Sequence, residues 1–172
     1  SQAVAAYGDL DAPYDLVLAS TATSGPPLTP GTAVCALVEV TSARALTRLA
    51  CHMQAVGTGI SGAYMAAYST TGTLLAASTD QATPWASTGY KTATGANLAT
   101  TSTLTAAPVQ VWVLAWVVSA TGTYRLAGFT ATAANGPTTR FGTLTGMTGE
   151  PPSSITPGSI VASGNAPWLG VG

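Results

Sequence analysis

The sequence predicts an all-β protein, an antiparallel β-sandwich of jelly-roll type. Apolar and polar residues alternate along many short segments, and glycine, proline, serine and threonine separate those segments. No window shows apolar residues sustained at helical spacing. The count reaches about eight to ten strands, and antiparallel strands at this spacing are typical of a sandwich or a jelly roll.

The chain length of 172 residues suits one domain with one sizeable core. We expect an extended N-terminal arm and a first short strand, Tyr14 to Ala19, within residues 1–31. The sandwich core is predicted over residues 32–147. A proline- and glycine-rich tail, residues 148–172, is expected to pack on the core or on a neighbouring subunit.

The core is predicted to begin with strands over residues 32–41 and 45–56. The second of these alternates cleanly, so one face is apolar and the other polar. The apolar face carries Leu49, Cys51, Met53 and Ala55, and the polar face carries Arg48, His52 and Gln54.

Two hairpins are predicted from a shared turn pattern. Residues 61–69 lead through Thr70-Thr71-Gly72 into residues 73–78, and Gly72 is the natural residue for a positive φ angle. Residues 109–118 lead through a similar turn, residues 119–122, into residues 123–129. Further strands are predicted at 90–94 and 98–104, with edge strands at 141–144 and 159–162.

Charged residues make up only 6% of the chain, against roughly 25% in an ordinary domain, and the net charge is -1. Such a chain has little repulsion between copies, so its surface is expected to be neutral or buried against neighbours. Five basic residues cannot form the cationic stripe that nucleic-acid binding needs. The longest apolar run, Val109 to Val118, is far shorter than the roughly 20 residues that span a bilayer.

No residues for catalysis, a metal or a cofactor stand out, so we predict that the chain is not an enzyme. Its one histidine, His52, shares its strand face with Arg48 and Gln54, and no local carboxylate could orient the ring. A zinc site would need Cys35, Cys51 and His52 together, but adjacent positions 51 and 52 point to opposite faces of a strand.

Three acidic residues and two cysteines leave alternatives open. Asp9, Asp11 and Asp15 have a spacing that resembles a calcium loop but lack its glycine and terminal glutamate, so a solvated turn or a helix-like cap is favoured. Cys35 and Cys51 lie inside predicted strands, which favours buried reduced thiols over a disulfide.

Aromatic residues are the remaining candidates for ligand binding, because sugar rings stack on exposed aromatic faces. Trp85, Tyr90 and Trp168 lie in or beside predicted loops and are the predicted carbohydrate-binding residues, although a loop tryptophan more often plugs the end of a sandwich. Trp112 and Trp116 share one face of an apolar strand, which favours the core or a subunit interface.

The sequence also resembles structural proteins of tailed bacteriophages. The resemblance lies in the phrase AYMAAYSTTGTLLAAST at 63–79, followed by WASTG at 85–89. It extends to VWVLAWV at 111–117 and SGNAPW at 163–168, and spans roughly residues 32 to 170.

This resemblance implies a virion component, a sandwich or jelly-roll module of minor tail proteins, tail fibres or head decorations, frequently trimeric. The leading hypothesis is therefore a non-enzymatic, tail-associated surface protein that binds host-surface carbohydrate. The first alternative is a capsid decoration protein that cements the shell, with copies of itself and other virion proteins as partners. The second is a secreted carbohydrate-binding module. The chain lacks a heptad stalk or a collagen-like repeat, which speaks against a long fibre.

Overall fold

The computed structural model describes residues 10–14, 25–130 and 139–172. Within these residues the protein is all-β, with three single-turn 3-10 helices at Pro84–Ala86, Gly95–Asn97 and Pro157–Ser159. None of the described helices is long and apolar enough to cross a membrane. The strands are β1 (Thr32–Val40), β2 (Ala45–Leu46), β3 (Arg48–Ala55), β4 (Gly59–Ser69), β5 (Leu74–Ser78), β6 (Gly89–Thr94), β7 (Leu98–Thr100), β8 (Ser102–Thr103), β9 (Val109–Thr121), β10 (Arg125–Leu126), β11 (Gly128–Thr130), β12 (Phe141–Thr145), β13 (Val161–Ala162), β14 (Asn165–Pro167) and β15 (Leu169–Val171).

The larger sheet has seven strands in the order β13-β12-β1-β9-β4-β5-β7, and every pairing in it is antiparallel. β9 lies near its centre, between β1 and β4. Its residues 111–117 are buried without a break, so both of its faces are covered. This explains why β9 is the longest apolar run in the chain, since a strand covered on both faces has no need of polar alternation.

The smaller sheet is built around β3. β6 pairs along one edge of β3, whereas β15 pairs with residues 49–51 and β10 with Met53 and Ala55 along the opposite edge. β11 follows β10 in the chain and β14 precedes β15. These two strands pair with each other and form a two-stranded ladder. β2 and β8 form a separate two-stranded ladder.

The main core lies between the two sheets. It consists of the side chains that alternate strand residues point inward. The predicted apolar face of β3 is confirmed, because Leu49, Cys51 and Met53 all point into this core. The larger sheet contributes alternate residues of its central strands, Val34, Ala36, Val38 and Val40 from β1, Ala63, Met65 and Ala67 from β4, and Val111, Val113, Ala115 and Val117 from β9.

The opposite face of the larger sheet carries a second apolar cluster that includes Tyr64, Tyr68, Trp112 and Trp116. Residues 146–160 cover it, and Met147, Ile155 and Ile160 of this segment join the rings in the cluster, together with Leu144 of β12. The interpretation of Trp112 and Trp116 as core residues is therefore confirmed.

The first predicted hairpin is confirmed. β4 and β5 pair through a turn in which Gly72 has φ +95, with a register shift between Ala67 and Tyr68. Gly72 also allows a close approach, because a Cβ at this position would lie 2.0 Å from the carbonyl oxygen of Ile155. The turn thus fits against the segment that covers the larger sheet.

The second predicted hairpin is wrong. Gly122 has a positive φ of 82, as its turn requires, but the strand that follows, β10, pairs with β3 in the smaller sheet. The physical reason is that β4 occupies one edge of β9 up to Thr121, and β1 with Gly31 before it occupies the other edge up to Val117. The chain after Gly122 therefore crosses to the other sheet.

Other predicted strands correspond to described ones, with differences at the ends. Residues 98–104 split into β7 and β8, and residues 159–162 shorten to β13. β12 was predicted as an edge strand but lies inside the sheet, because β13 pairs on its outer side. The first predicted strand, 14–19, lies outside the described residues except for Tyr14. The jelly-roll form of the sandwich stays a prediction.

Candidate functional site

Trp85 is not at the surface, so the prediction of a sugar-stacking ring at this position is wrong. Its side chain is 0% exposed and belongs to the core between the sheets. It lies on the 3-10 turn Pro84–Ala86, where its backbone N–H donates to the carbonyl oxygen of Gln81 at 2.9 Å. The turn points the ring inward and plugs one end of the sandwich.

Trp168 is also buried, at 1% exposed, and the same correction applies. It lies on the outer face of the smaller sheet with Ala50 and Ala127, and Leu10 from the N-terminal segment joins the cluster. Its indole Nε1 donates to the carbonyl oxygen of Tyr14 at 3.0 Å. Residues 10–14 thus lie over this ring and remove it from solvent.

Tyr90 is the one predicted sugar-binding residue that keeps an exposed part, and it is half-buried. Its ring centroid lies 6.2 Å from that of Trp168, with an angle of 57° between the planes. The structure therefore brings Tyr90 and Trp168 together and leaves Trp85 in a different layer. A carbohydrate role for Tyr90 stays a prediction.

His52 lies on the outer face of β3, directly opposite Tyr90 of β6. Burial lowers the pKa of its imidazole, and the positive charge of Lys91 lowers that pKa further. Nδ1 is buried and has no hydrogen-bond partner in the part of the chain that the structure describes. An orienting carboxylate would raise the pKa instead, so the described surroundings of His52 are not those of a Ser-His-Asp triad.

The two cysteines are free and buried, which confirms the interpretation as reduced thiols. Cys35 belongs to the outer cluster of the larger sheet, whereas Cys51 belongs to the core between the sheets. The larger sheet separates the two side chains, so they cannot form a disulfide in this fold. Burial raises the pKa of both thiols.

The predicted acidic cluster can be followed only in part, because Asp9 and Asp15 lie outside the described residues. The Asp11 carboxylate accepts a hydrogen bond of 2.6 Å from the Arg44 guanidinium, and it also bonds the hydroxyl and the N–H of Thr41. Asp11 thereby ties the N-terminal segment to the sandwich. No group of three or more His, Cys, Asp or Glu side chains within residues 10–14, 25–130 and 139–172 could hold a metal ion.

The structure also shows a cavity of mixed polar and apolar lining that the sequence did not predict. It has a volume of about 250 Å³ and lies at the β4, β5 and β7 side of the larger sheet. Its walls bring together Tyr64, Asp80 and Glu150 from three separate parts of the chain. No local motif joins these residues, so the sequence contains no signal that could have found the cavity. The remaining wall residues are Ala77, Ser78, Thr79, Ala99, Thr100 and Pro151.

Hydrogen bonds hold Asp80 and the backbone next to Glu150. One carboxylate oxygen of Asp80, Oδ1, accepts hydrogen bonds from the backbone N–H groups of Ala63 and Ala82, both at 2.9 Å. Glu150 follows Gly149, whose carbonyl oxygen accepts a 3.0 Å hydrogen bond from Nε1 of Trp116. Burial raises the pKa of the Tyr64 phenol, and the negative charges of Asp80 and Glu150 raise it further.

No protein-family model matches the chain, and no curated protein is significantly similar to it.

Proposed function

We propose that the chain is a non-enzymatic structural component of a bacteriophage virion, a sandwich module that decorates or cements the particle surface. The observation that carries this proposal is the scarcity of charge, with five Lys and Arg and six Asp and Glu among 172 residues. A neutral surface has little repulsion between copies. This property suits a module that packs densely against neighbours.

The layering of the fold supports a structural role. Residues 146–160 cover the outer face of the larger sheet, and residues 10–14 pack on the smaller one. The large apolar side chains are thus covered by other parts of the same chain. Among the described residues, Val161 is the exposed exception, at 67%. Val161 lies on β13, the edge strand of the larger sheet, where backbone groups are open to a neighbour.

The cementing role is better supported than sugar recognition on the tail or in a secreted module. Both recognition hypotheses used Trp85 and Trp168 as stacking platforms, and both rings are buried. Only Tyr90 remains of that predicted site. A flat sugar site normally needs an exposed aromatic face, so the burial of the two indoles favours contact with protein neighbours.

Immunogold electron microscopy tests the proposal directly. Antibody against the purified chain is applied to phage particles produced from the genome that carries the gene. Label spaced over the shell is the expected result. Label confined to the tail tip would favour the recognition role, and particles without label would contradict any virion role.

A second measurement examines assembly without a particle. Light scattering of the purified chain is expected to show a stable trimer. Binding on a glycan array that is lost in Tyr90→Ala, together with a monomeric mass, would contradict the cementing role and favour a carbohydrate-binding module.

A further inference from the structure

We propose that the cavity formed by Tyr64, Asp80 and Glu150 binds an alkylammonium group, a primary amine on an aliphatic stem. The proposal goes beyond the cementing role and does not depend on it. It rests on three observations: two carboxylates that line one cavity without an ion pair among the described residues, a phenol hydroxyl at the cavity without a partner there, and a wall that is partly apolar.

The first observation is the uncompensated charge. Asp80 and Glu150 are exposed acids that line one cavity, and neither forms an ion pair within residues 10–14, 25–130 and 139–172. A ligand with one positive charge would be attracted to both carboxylates.

The second observation is the phenol of Tyr64. Its side chain is only 8% exposed, and its ring packs on Trp116 with centroids 5.7 Å apart. Its hydroxyl has no hydrogen-bond partner in the described part of the chain, although the residue lines the cavity. The hydroxyl is not enclosed by protein, so it is free to exchange a hydrogen bond with a molecule in the cavity.

The third observation is the shape and chemistry of the walls. The cavity of about 250 Å³ is larger than one metal ion requires, and Ala77, Ala99 and Pro151 provide apolar surface beside the acids. An ammonium group donates three hydrogen bonds, which matches in number the two carboxylates and the phenol oxygen that line the cavity. The methylene stem then lies on the apolar wall.

The same chemistry can come from a small free amine or from a lysine side chain of a neighbouring protein. Both would place an ammonium group between the carboxylates. A lysine also carries a peptide backbone, which the cavity mouth must accommodate. Ligands with and without that backbone therefore distinguish the two sources.

The test is a titration of the full chain with n-butylammonium chloride, followed by NMR at the backbone amides of Ala63 and Ala82. These amides report on the site because they donate to Asp80. We expect saturable shifts with a dissociation constant on the order of millimolar, and weaker binding at high salt. Neutral 1-butanol is expected to cause no saturable shift. Tighter binding of Nα-acetyl-lysine-N-methylamide than of cadaverine would indicate a lysine side chain. The reverse order would indicate a small free amine.

Variants locate the binding. Glu150→Gln removes one charge from an exposed position, and Tyr64→Phe removes only the hydroxyl and keeps the ring on Trp116. Each is expected to weaken binding about fivefold or more. Glu39→Gln is the matched control, because Glu39 is an exposed acid on β1 and does not line the cavity.

Three results would overturn the proposal. The first is the absence of a saturable shift, and the second is equal binding of butylammonium and butanol. The third is an affinity for butylammonium that Glu150→Gln and Glu39→Gln change equally. Tighter binding of calcium chloride than of butylammonium, lost in Glu150→Gln, would also overturn it, because the site would then be a metal site.

Discussion

The indole Nε1 of Trp116 donates a hydrogen bond of 3.0 Å to the carbonyl oxygen of Gly149. Trp116 lies on β9, near the centre of the larger sheet, and Gly149 lies in the segment that covers that sheet. Trp85 offers a natural contrast, because its Nε1 is buried without an acceptor in the described residues. The two indoles therefore separate the effect of the hydrogen bond from the effect of ring size.

Trp116→Phe is expected to destabilise the protein more than Trp85→Phe does. Both substitutions leave a small void, but the first also removes a hydrogen bond, whereas the second removes an unsatisfied donor. We expect a difference of about 2 kcal/mol in the free energy of unfolding. Urea unfolding followed by circular dichroism measures it, and equal costs would contradict the two hydrogen-bond assignments.

Gly72→Ala is expected to be more destabilising than Gly95→Ala. Both glycines have a positive φ angle, +95 and +55, so each alanine carries a backbone penalty of about 1 kcal/mol. Only at Gly72 would the new Cβ collide, 2.0 Å from the carbonyl oxygen of Ile155, whereas nothing lies within 4 Å at Gly95. Thermal unfolding should show a larger loss for Gly72→Ala. A similar loss at both positions would mean that the covering segment does not hold its place over the turn.

Cys35 and Cys51 are expected to resist alkylation in the folded protein. Both side chains are 0% exposed, and burial raises the pKa of each thiol, so little thiolate is present or accessible. Iodoacetamide at about pH 8 should modify neither in native conditions and both in guanidinium chloride. Thr92→Cys places a thiol at an exposed position of β6 and provides the reactive control. Rapid native modification of either natural cysteine would contradict the packing described above.

Stability is expected to fall as the pH drops through the titration of His52. The folded-state pKa lies below the ordinary value of 6.5, because burial and Lys91 disfavour the charged ring. Between that value and the lower folded pKa, the unfolded chain binds more protons than the folded one, so acid favours unfolding. His52→Gln should remove this part of the pH dependence in urea unfolding. An unchanged profile in the variant would show that other groups cause the loss.

Much of the fold could be predicted from the period-two alternation of apolar residues. The burial of Leu49, Cys51 and Met53 follows from alternation alone, because residues two apart share a face. The shared face of Trp112 and Trp116 follows in the same way. These predictions need no knowledge of which strands are neighbours.

What could not be predicted depends on contacts between distant residues. The turns at Gly72 and Gly122 both have positive φ angles, but turn chemistry does not reveal that both edges of β9 are already paired. Trp168 is covered by a segment that lies more than 150 positions earlier, with its indole bonded to Tyr14. A position next to a loop was therefore a poor guide to exposure.

The position of β9 in the larger sheet has a consequence for how the chain is made. β1 and β4 precede β9 in the chain, so the ribosome releases them first. Both strands pair with β9, for example Val34 with Ala115 and Ala66 with Leu114. Until β9 emerges, these two early apolar strands have no partner on that side, and closing such long loops is slow. Nascent chains that stall before residue 109 should therefore be the form most prone to aggregate or to require a chaperone.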